Sequence, residues 1–398
     1  MERPVTPPAW DFDAILDRRG TGAWKWEFCE HVLGDPEILP MWVADMDFPA
    51  PPAVVEALSR RAAHGAYGYH YVAPSFWEAI VQWLGGRWGW DVRKEWLLRS
   101  PGVVTALNLC VKAFTAPGDA IVVQTPVYYP FFGAVENNGR TLVRNPLKFE
   151  SGRWLMDYED LERKIDGRTR LLILCSPHNP VGRVWTRKEL DRLVDICLAH
   201  DLLIISDEIH GDLALPGYRH QPLAALSEAV AARTVTLIAP SKTFNLAGLA
   251  SSAVIASNPG LLNLLKKEHH AAGLTLPNIF GAIAMEAAYR DGGAWLDALL
   301  AYLDENQDFA ARFIEERIPA LRFLKSEGTF LALLDCRTLG LDQKSLNEFF
   351  IREAKVFFSD GSLFGEELQG FERLNFACPR ALLVEALERV ERAVLTRA

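Results

Sequence analysis

Lys242 lies in the stretch RTVTLIAPSKTFNLAG (Arg233–Gly248), where an apolar run breaks off into a Pro-Ser-Lys turn. This places one primary amine at the end of an expected buried strand, and lysine is rarely found in apolar surroundings without a partner or a task. Desolvation weakens an amine's hold on its proton and makes it a nucleophile suited to Schiff-base chemistry. Taken alone, the residue reads more readily as a surface lysine in a strand-to-helix turn. Its company argues for chemistry: three more expected strands end in Thr125-Pro126-Val127-Tyr128, Ser176-Pro177-His178-Asn179 and Ser206-Asp207-Glu208.

These groups match the needs of a flat, phosphorylated, nitrogen-containing ring. Asp207 follows the apolar run LLIIS, where a carboxylate is costly unless paired, and a pyridinium nitrogen would be a good partner. Asn179 can donate to a ring hydroxyl, and Tyr128 offers a flat face for stacking. Each also has a plainer reading, respectively a helix-capping Asp, an Asn-Pro turn and simple packing. Ser100-Pro101-Gly102-Val103-Val104 opens an expected helix whose apolar face is Val104, Leu107, Val111 and Phe114. Free N–H groups at that N-terminus, at Val103 and Val104, would cradle a phosphate.

The elements that must position these side chains alternate along the chain. From about residue 101 to 257, short β-rich runs (Ile121–Gln124, Leu171–Cys175, Leu202–Ile205, Thr234–Ile238, Ser252–Ala256) are separated by amphipathic helices. Thr186 and Glu189 have the spacing of a capping box, followed by Leu190, Leu193, Val194, Cys197 and Leu198 at helical spacing. Continuous apolar strands between helices predict an α/β fold with a mostly parallel sheet covered on both faces. In such a sheet, ligands bind outside the carboxyl ends of the strands. A long helical pattern over 294–318 then leads to strands over 328–334 and 373–376 and to a helix opened by Pro379. We expect a large domain over 47–293 and a smaller α+β domain built from 1–46 and 294–398.

Composition narrows the alternatives. The chain has 398 residues and a formal net charge of −9, which argues against nucleic acid or an anionic membrane as partner. The six cysteines (Cys29, Cys110, Cys175, Cys197, Cys336, Cys378) are scattered and form no CxxC, so reduced thiols and no metal site are expected. The N-terminus MERPVTPPAW lacks the apolar run of a secretion signal, and a cytoplasmic location is expected. No apolar stretch approaches the roughly 18 residues needed to span a bilayer. A metal-dependent hydrolase built on Asp207, Glu208, His210 and Asp212 is a competing reading, although the ligand set is local and unspecific. His269-His270 reads as a solvated helix face.

The strings MWVADMDF (Met41–Phe48), YGYH (Tyr67–His70), PGVVTAL (Pro101–Leu107), TPVYYPF (Thr125–Phe131), CSPHNPVGRVW (Cys175–Trp185), SDEIHGDL (Ser206–Leu213), PSKTFNLAGL (Pro240–Leu249) and RLNFACPR (Arg373–Arg380) run in order over nearly the whole chain. In them the sequence resembles the class I/II aminotransferase superfamily, pyridoxal phosphate enzymes of fold type I. Within that superfamily it is most similar to the cystathionine β-lyase or cysteine C–S lyase subgroup. The resemblance implies that Lys242 carries the cofactor and moves the substrate's Cα proton, that Asp207 keeps the ring nitrogen protonated, and that Asn179 and Tyr128 hold and stack on the ring. It implies Arg373 as the bidentate holder of the substrate carboxylate, with Ala44 and Asp45 beside the substrate. Tyr69, with Tyr67 as the alternative, resembles the tyrosine that reaches the neighbouring subunit's phosphate, which implies a homodimer with sites at the subunit interface.

The match has departures. His210 stands where many relatives have a tyrosine beside the ring hydroxyl, and its charge is pH-sensitive. Ala239 and Ala250 replace a serine and a basic residue that many relatives place on the phosphate, so phosphate binding must lean on the helix start at Val103 and Val104 and on Ser241. The implied reaction is α,β-elimination from cystathionine or a related cysteine S-conjugate, giving pyruvate, ammonia and a thiol. Tyr69 or Lys242 could protonate the departing sulfur. The competing activity is amino transfer, and a fold that binds the cofactor without turnover is a third possibility. The pocket for the thiol side chain is expected to be lined from around Trp42–Asp45 and from the partner subunit.

Overall fold

The computed structural model describes residues 10–397; the remainder of the expected N-terminal segment, 1–9, and residue 398 lie outside the described residues. A short strand β1 (Leu39–Pro40) precedes the main sheet, which contains β2 (Leu97–Ser100), β3 (Ala120–Thr125) and β4 (Thr141–Pro146). After a hairpin of β5 (Lys148–Glu150) and β6 (Arg153–Leu155), it is completed by β7 (Thr169–Cys175), β8 (Leu203–Asp207), β9 (Thr234–Ile238) and β10 (Ser252–Ile255). The spatial order is β2-β10-β9-β8-β7-β3-β4. Strands β4, β3, β7, β8 and β9 pair in parallel, and β10 is antiparallel to both of its neighbours.

The central strands β3, β7, β8, β9 and β10 are largely buried and mostly apolar because both faces of the sheet are covered there. On one face Val103, Ala106, Leu107, Cys110 and Val111 of the helix Val103–Phe114 pack with Leu261 and Leu265 of the helix Pro259–Ala271. On the other, Leu190, Leu193, Val194 and Cys197 of the helix Arg187–Ala199 join Leu161, Leu172 and Ile204. The expected capping box is present: the Thr186 hydroxyl accepts from the Glu189 N–H, and the Glu189 carboxylate accepts from the Thr186 N–H. One expectation needed correction. The buried stripe of Val103–Phe114 is rotated away from Val104, which is 40% exposed, because the helix offers Val103 and Ala106 to the sheet and turns Val104 towards a cavity.

A second sheet of β11 (Arg322–Leu324), β12 (Leu331–Asp335), β14 (Ser359–Asp360) and β15 (Phe371–Asn375) is antiparallel, in the order β11-β12-β15-β14. The remaining strand, β13 (Val356–Phe357), pairs in parallel with β1 and so ties the N-terminal segment to the C-terminal part of the chain. The long helix Gly293–Arg317 and the last helix, Arg380–Arg397, pack against this region.

The segment between β1 and the helix Pro52–Ala63 has little secondary structure, yet it is fixed by side chains. Asn245 donates to the carbonyls of Met46 and Phe48 and accepts from the Met46 N–H. Asn375 donates to the carbonyls of Val43 and Asp45. Asp47 accepts from Lys25 at 2.7 Å, Trp26 at 2.9 Å and Arg18 at 3.0 Å. Lys25 is wholly buried, so its ammonium depends on that carboxylate. Removing one member of a buried pair leaves the other charge unsolvated, at a cost of about 3–5 kcal/mol. Asp47→Ala is therefore expected to lower unfolding free energy by that order in urea titration, and a loss below about 1 kcal/mol would show that water reaches Lys25.

Candidate active site

The carboxyl ends of β3, β7, β8 and β9 open onto one cavity of about 620 Å³. Its wall includes Tyr128, Asn179, Asp207 and Lys242, each delivered by a different strand end, together with Val103, Val104, His210, Ser241, Ala44 and Arg373. The main chain of Ala44 enters because Lys242 Nζ donates to its carbonyl at 2.6 Å. Arg373 comes from β15 of the second sheet and is buried. Its guanidinium donates to Asn179 Oδ1 at 2.9 Å, Ser359 Oγ at 3.0 Å and the Trp42 carbonyl at 3.1 Å, while its Nε has no partner among the described residues.

Burial sets the charges. Desolvation raises the Asp207 carboxyl to about 7; a hydrogen bond from the Ile209 N–H at 3.1 Å opposes this only in part. Desolvation also lowers the Lys242 ammonium to about 8, against a favourable effect of Asp45. His210 falls to about 3, through burial first and then the nearby Lys242 and Arg373 charges, so it is a neutral imidazole whose Nδ1 has no partner among the described residues. A buried carboxyl shifted this far lacks the cation that would hold it ionised. A protonated ring nitrogen would supply that cation.

The cavity also suits a phosphate. Val103, Val104 and Thr105 are the first residues of their helix, whose Gly102 N-cap provides no side-chain cap. Their N–H groups lack carbonyl partners a turn earlier within the helix and lie at its positive end. Ala239, Ser241 and Ala250 line the same cavity, and Ala250 holds a left-handed conformation at φ 46°. Asn179 uses its oxygen on Arg373, which leaves its amide N–H groups to donate elsewhere.

Three residues named from the sequence lie elsewhere. The Asp45 carboxylate is not in the cavity wall; it pairs with Arg18 at 2.7 Å and acts on Lys242 only through its charge. Tyr69 is 93% exposed and outside its own chain's cavity, as is Tyr67, whose hydroxyl donates to the Ala62 carbonyl. The hydrolase reading loses its ligands to other bonds. Glu208 is occupied by Ser206, His220 and the Leu223 N–H, and Asp212 by Trp83, Trp88 and Thr243. His269 is buried rather than solvated, because its helix turns that position inwards, whereas His270 is exposed.

Sequence reasoning missed part of the wall. Phe28, Ile351, Phe357, Leu363 and Phe364 reach the cavity from separated stretches with no shared motif. Asn245, which fixes the Met46–Phe48 backbone, stands within PSKTFNLAGL, where no local pattern signals that task.

The family model for aminotransferase class I and II matches residues 36–390. Cystathionine beta-lyase PatB of Bacillus subtilis (strain 168) is 43% identical over 390 residues, covering 96% of this chain and 100% of PatB. The crystal structure of cystalysin from Treponema denticola, which contains a pyridoxal 5'-phosphate cofactor, is 37% identical with a TM-score of 0.94 and covers 97% of this chain and 99% of its own. The PLP-bound C–S lyase from Staphylococcus hominis is 34% identical with a TM-score of 0.89, covering 97% of this chain and 98% of its own.

The shifted carboxyl gives a measurable pH dependence. Because the folded-state value of Asp207 is raised, its bound proton stabilises the ligand-free fold in acid, and that contribution is lost as pH rises through about 7. Asp207→Asn removes this titration. Urea denaturation of ligand-free protein is expected to show the variant gaining stability on the parent as pH rises from the ordinary carboxylate value of 3.8 to about 7, with no further gain above it; a pH-independent difference would mean that the carboxyl is not desolvated.

Proposed function

The chain belongs to the aminotransferase class I and II family, and from that premise we propose that it is a pyridoxal phosphate-dependent C–S β-lyase. It cleaves cystathionine or related cysteine S-conjugates to pyruvate, ammonia and a thiol. The observation that carries the reading is the single cavity in which Lys242, Asp207, Asn179, Tyr128 and Arg373 meet, in a chain 43% identical to a cystathionine beta-lyase along its length.

The residues present fit the cofactor. Lys242 would hold its aldehyde carbon, Asp207 its ring nitrogen, Asn179 and His210 its ring hydroxyl, and Tyr128 its ring face. The N–H groups of Val103 and Val104, with Ser241, would hold the phosphate. When bound, pyridoxal phosphate supplies a conjugated ring that draws off the electron pair left at the substrate's Cα. Asp207 supports that role by staying ionised against the ring N–H. Arg373 grips the substrate carboxylate through two guanidinium N–H groups, orienting the Cα–H bond. Lys242 Nζ, lowered to about 8 by burial, is a competent base near neutral pH and takes the Cα proton. Lys242, or Tyr69 from a neighbouring subunit, returns a proton to the departing sulfur.

The proposal extends to organisation. A large unit of 47–293 carries the cofactor groups, and a smaller unit of 1–46 and 294–398 carries Arg373; the separate seven-stranded and four-stranded sheets support this division. A homodimer is supported by the exposed aromatic stretch containing Tyr67, Tyr69 and Tyr71. A cytoplasmic setting is supported by six free cysteines, and no helix among the described residues is long and apolar enough to cross a membrane.

Two measurements test this. Holoenzyme given cystathionine without a keto acid is expected to release pyruvate, and Lys242→Ala to lose roughly 10²–10⁴-fold or more of that rate. No pyruvate, but amino transfer once 2-oxoglutarate is added, would make the protein a transaminase. Sedimentation velocity is expected to give twice the chain mass, and a monomer with full activity would refute the shared site.

A further inference from the structure

Lys242 sits on a helix of only four residues, Pro240–Thr243, whose N-cap Ala239 makes no side-chain cap bond. A single turn of helix is not stable by itself in water, so its surroundings must fix it. Downstream, Asn245 ties the chain to the Met46–Phe48 segment. The residue next to the lysine has a different anchor: the buried Thr243 hydroxyl donates to Asp212 Oδ2 at 2.9 Å. Asp212 belongs to the short turn Gly211–Leu213, which directly follows His210. One carboxylate thus joins the turn carrying Lys242 to the turn beside His210. Both of those side chains line the cavity, whereas Asp212 is buried behind its wall.

The other carboxylate oxygen, Oδ1, is held from the core. It accepts from the indole N–H of Trp88 at 2.8 Å and from that of Trp83 at 2.9 Å. Both tryptophans are buried and seated edge-on, Trp83 against Phe244 with centroids 5.6 Å apart and Trp88 against His220 at 4.7 Å. The turn is also pressed close to these rings. A Cβ added at Gly211 would come within 2.4 Å of Trp88 Cζ2 and 2.9 Å of His220 Cδ2. Asp212 therefore has little room to shift, and whatever bonds to Oδ2 is held in place with it.

Stability alone does not require this arrangement. All three donors are neutral, and burying a carboxylate without a cation is costly. Apolar side chains of similar shape at 212 and 243 would fill the same space with little or no loss. What they would lack is direction, which a hydrogen bond between the two turns supplies.

We propose that Asp212 is a positioning residue: through Thr243 it fixes the turn bearing Lys242 relative to His210, and so aims the Lys242 amine within the cavity. The inference rests on the cofactor reading of this cavity, and it holds for elimination and amino transfer alike.

Four substitutions test it in cofactor-loaded protein. Thr243→Val removes the donor at nearly constant volume, and Thr243→Ser keeps it. Asp212→Asn keeps a bond in the reverse sense, because its amide can donate to the Thr243 oxygen. Leu193→Ala lowers stability from the buried face of the helix Arg187–Ala199, on the far side of the sheet. With cystathionine, Thr243→Val is expected to lower kcat about tenfold to a hundredfold, as a small misplacement of a reacting group does, with KM within about twofold because Arg373 is untouched. Without substrate, its visible circular dichroism per bound cofactor should lose amplitude, since the link to Lys242 is no longer held at one angle. Thr243→Ser should restore both readouts, Asp212→Asn should keep most of both, and Leu193→Ala should leave both at the parent's values. Parent-like kcat and dichroism in Thr243→Val would overturn the tie, as would equal losses in Leu193→Ala. A loss in Asp212→Asn as deep as in Thr243→Val would also overturn it, by making the charge and not the bond responsible. If the parent transfers amino groups and releases no pyruvate, the lyase reading fails, and the same comparison on amino transfer decides the tie. A parent that takes up no cofactor overturns both.

Discussion

Everything at this site depends on keeping charged groups out of water without pairing them to one another. Asp207 is buried and Lys242 half-buried, yet the carboxyl is pushed up and the ammonium down, so neither satisfies the other. Separate strands produce that state: β8 ends in Asp207, while β9 runs into the Pro-Ser-Lys turn. The packed core beneath fixes their backbones, so the side chains cannot collapse together without breaking strand packing. A cavity whose charges remain unmet has binding energy available for a ligand of complementary charge.

The second requirement is a rigid margin on an irregular segment. Residues 41–48 contain little regular structure, but Asn245, Asn375 and Asp47 together hold their backbone and one buried carboxylate. Thus the Ala44 carbonyl that meets Lys242 and the Trp42 carbonyl that meets Arg373 are placed as firmly as if they belonged to a strand. Buried amide side chains stand in for the missing sheet partners of that backbone.

The legible part of this molecule was what a local pattern can encode. Continuous apolar runs revealed β7, β8 and β9, and polar residues just beyond them pointed to the cavity; the Thr186–Glu189 capping box is as local as a signal can be. Strand β2 (LLRS) and strand β4 (TLVRNP) lacked such runs, because β2 is short and half-buried and β4 lies on the sheet edge. The orientation of β10 was also hidden, since apolar strands look alike in either direction. Asp45 was misread because its neighbour Ala44 does reach the cavity; a single step along the backbone aims the carboxylate at Arg18, whose position no nearby spacing betrays. Phe28 and Phe357 are over three hundred residues apart and stack only after β1 and β13 pair.

That the two halves of the cavity come from different parts of the chain has a bearing on how such proteins diversify. The groups suited to bond-breaking descend from strand ends in the middle of the sequence, whereas the aromatic lining is assembled from residues near its beginning and its last fifth. Mutations can accumulate in the lining without touching the framework of the other half. Substitutions near either end of the chain would thus reshape the aromatic wall while the strand ends that deliver Asp207 and Lys242 stay where the central sheet puts them.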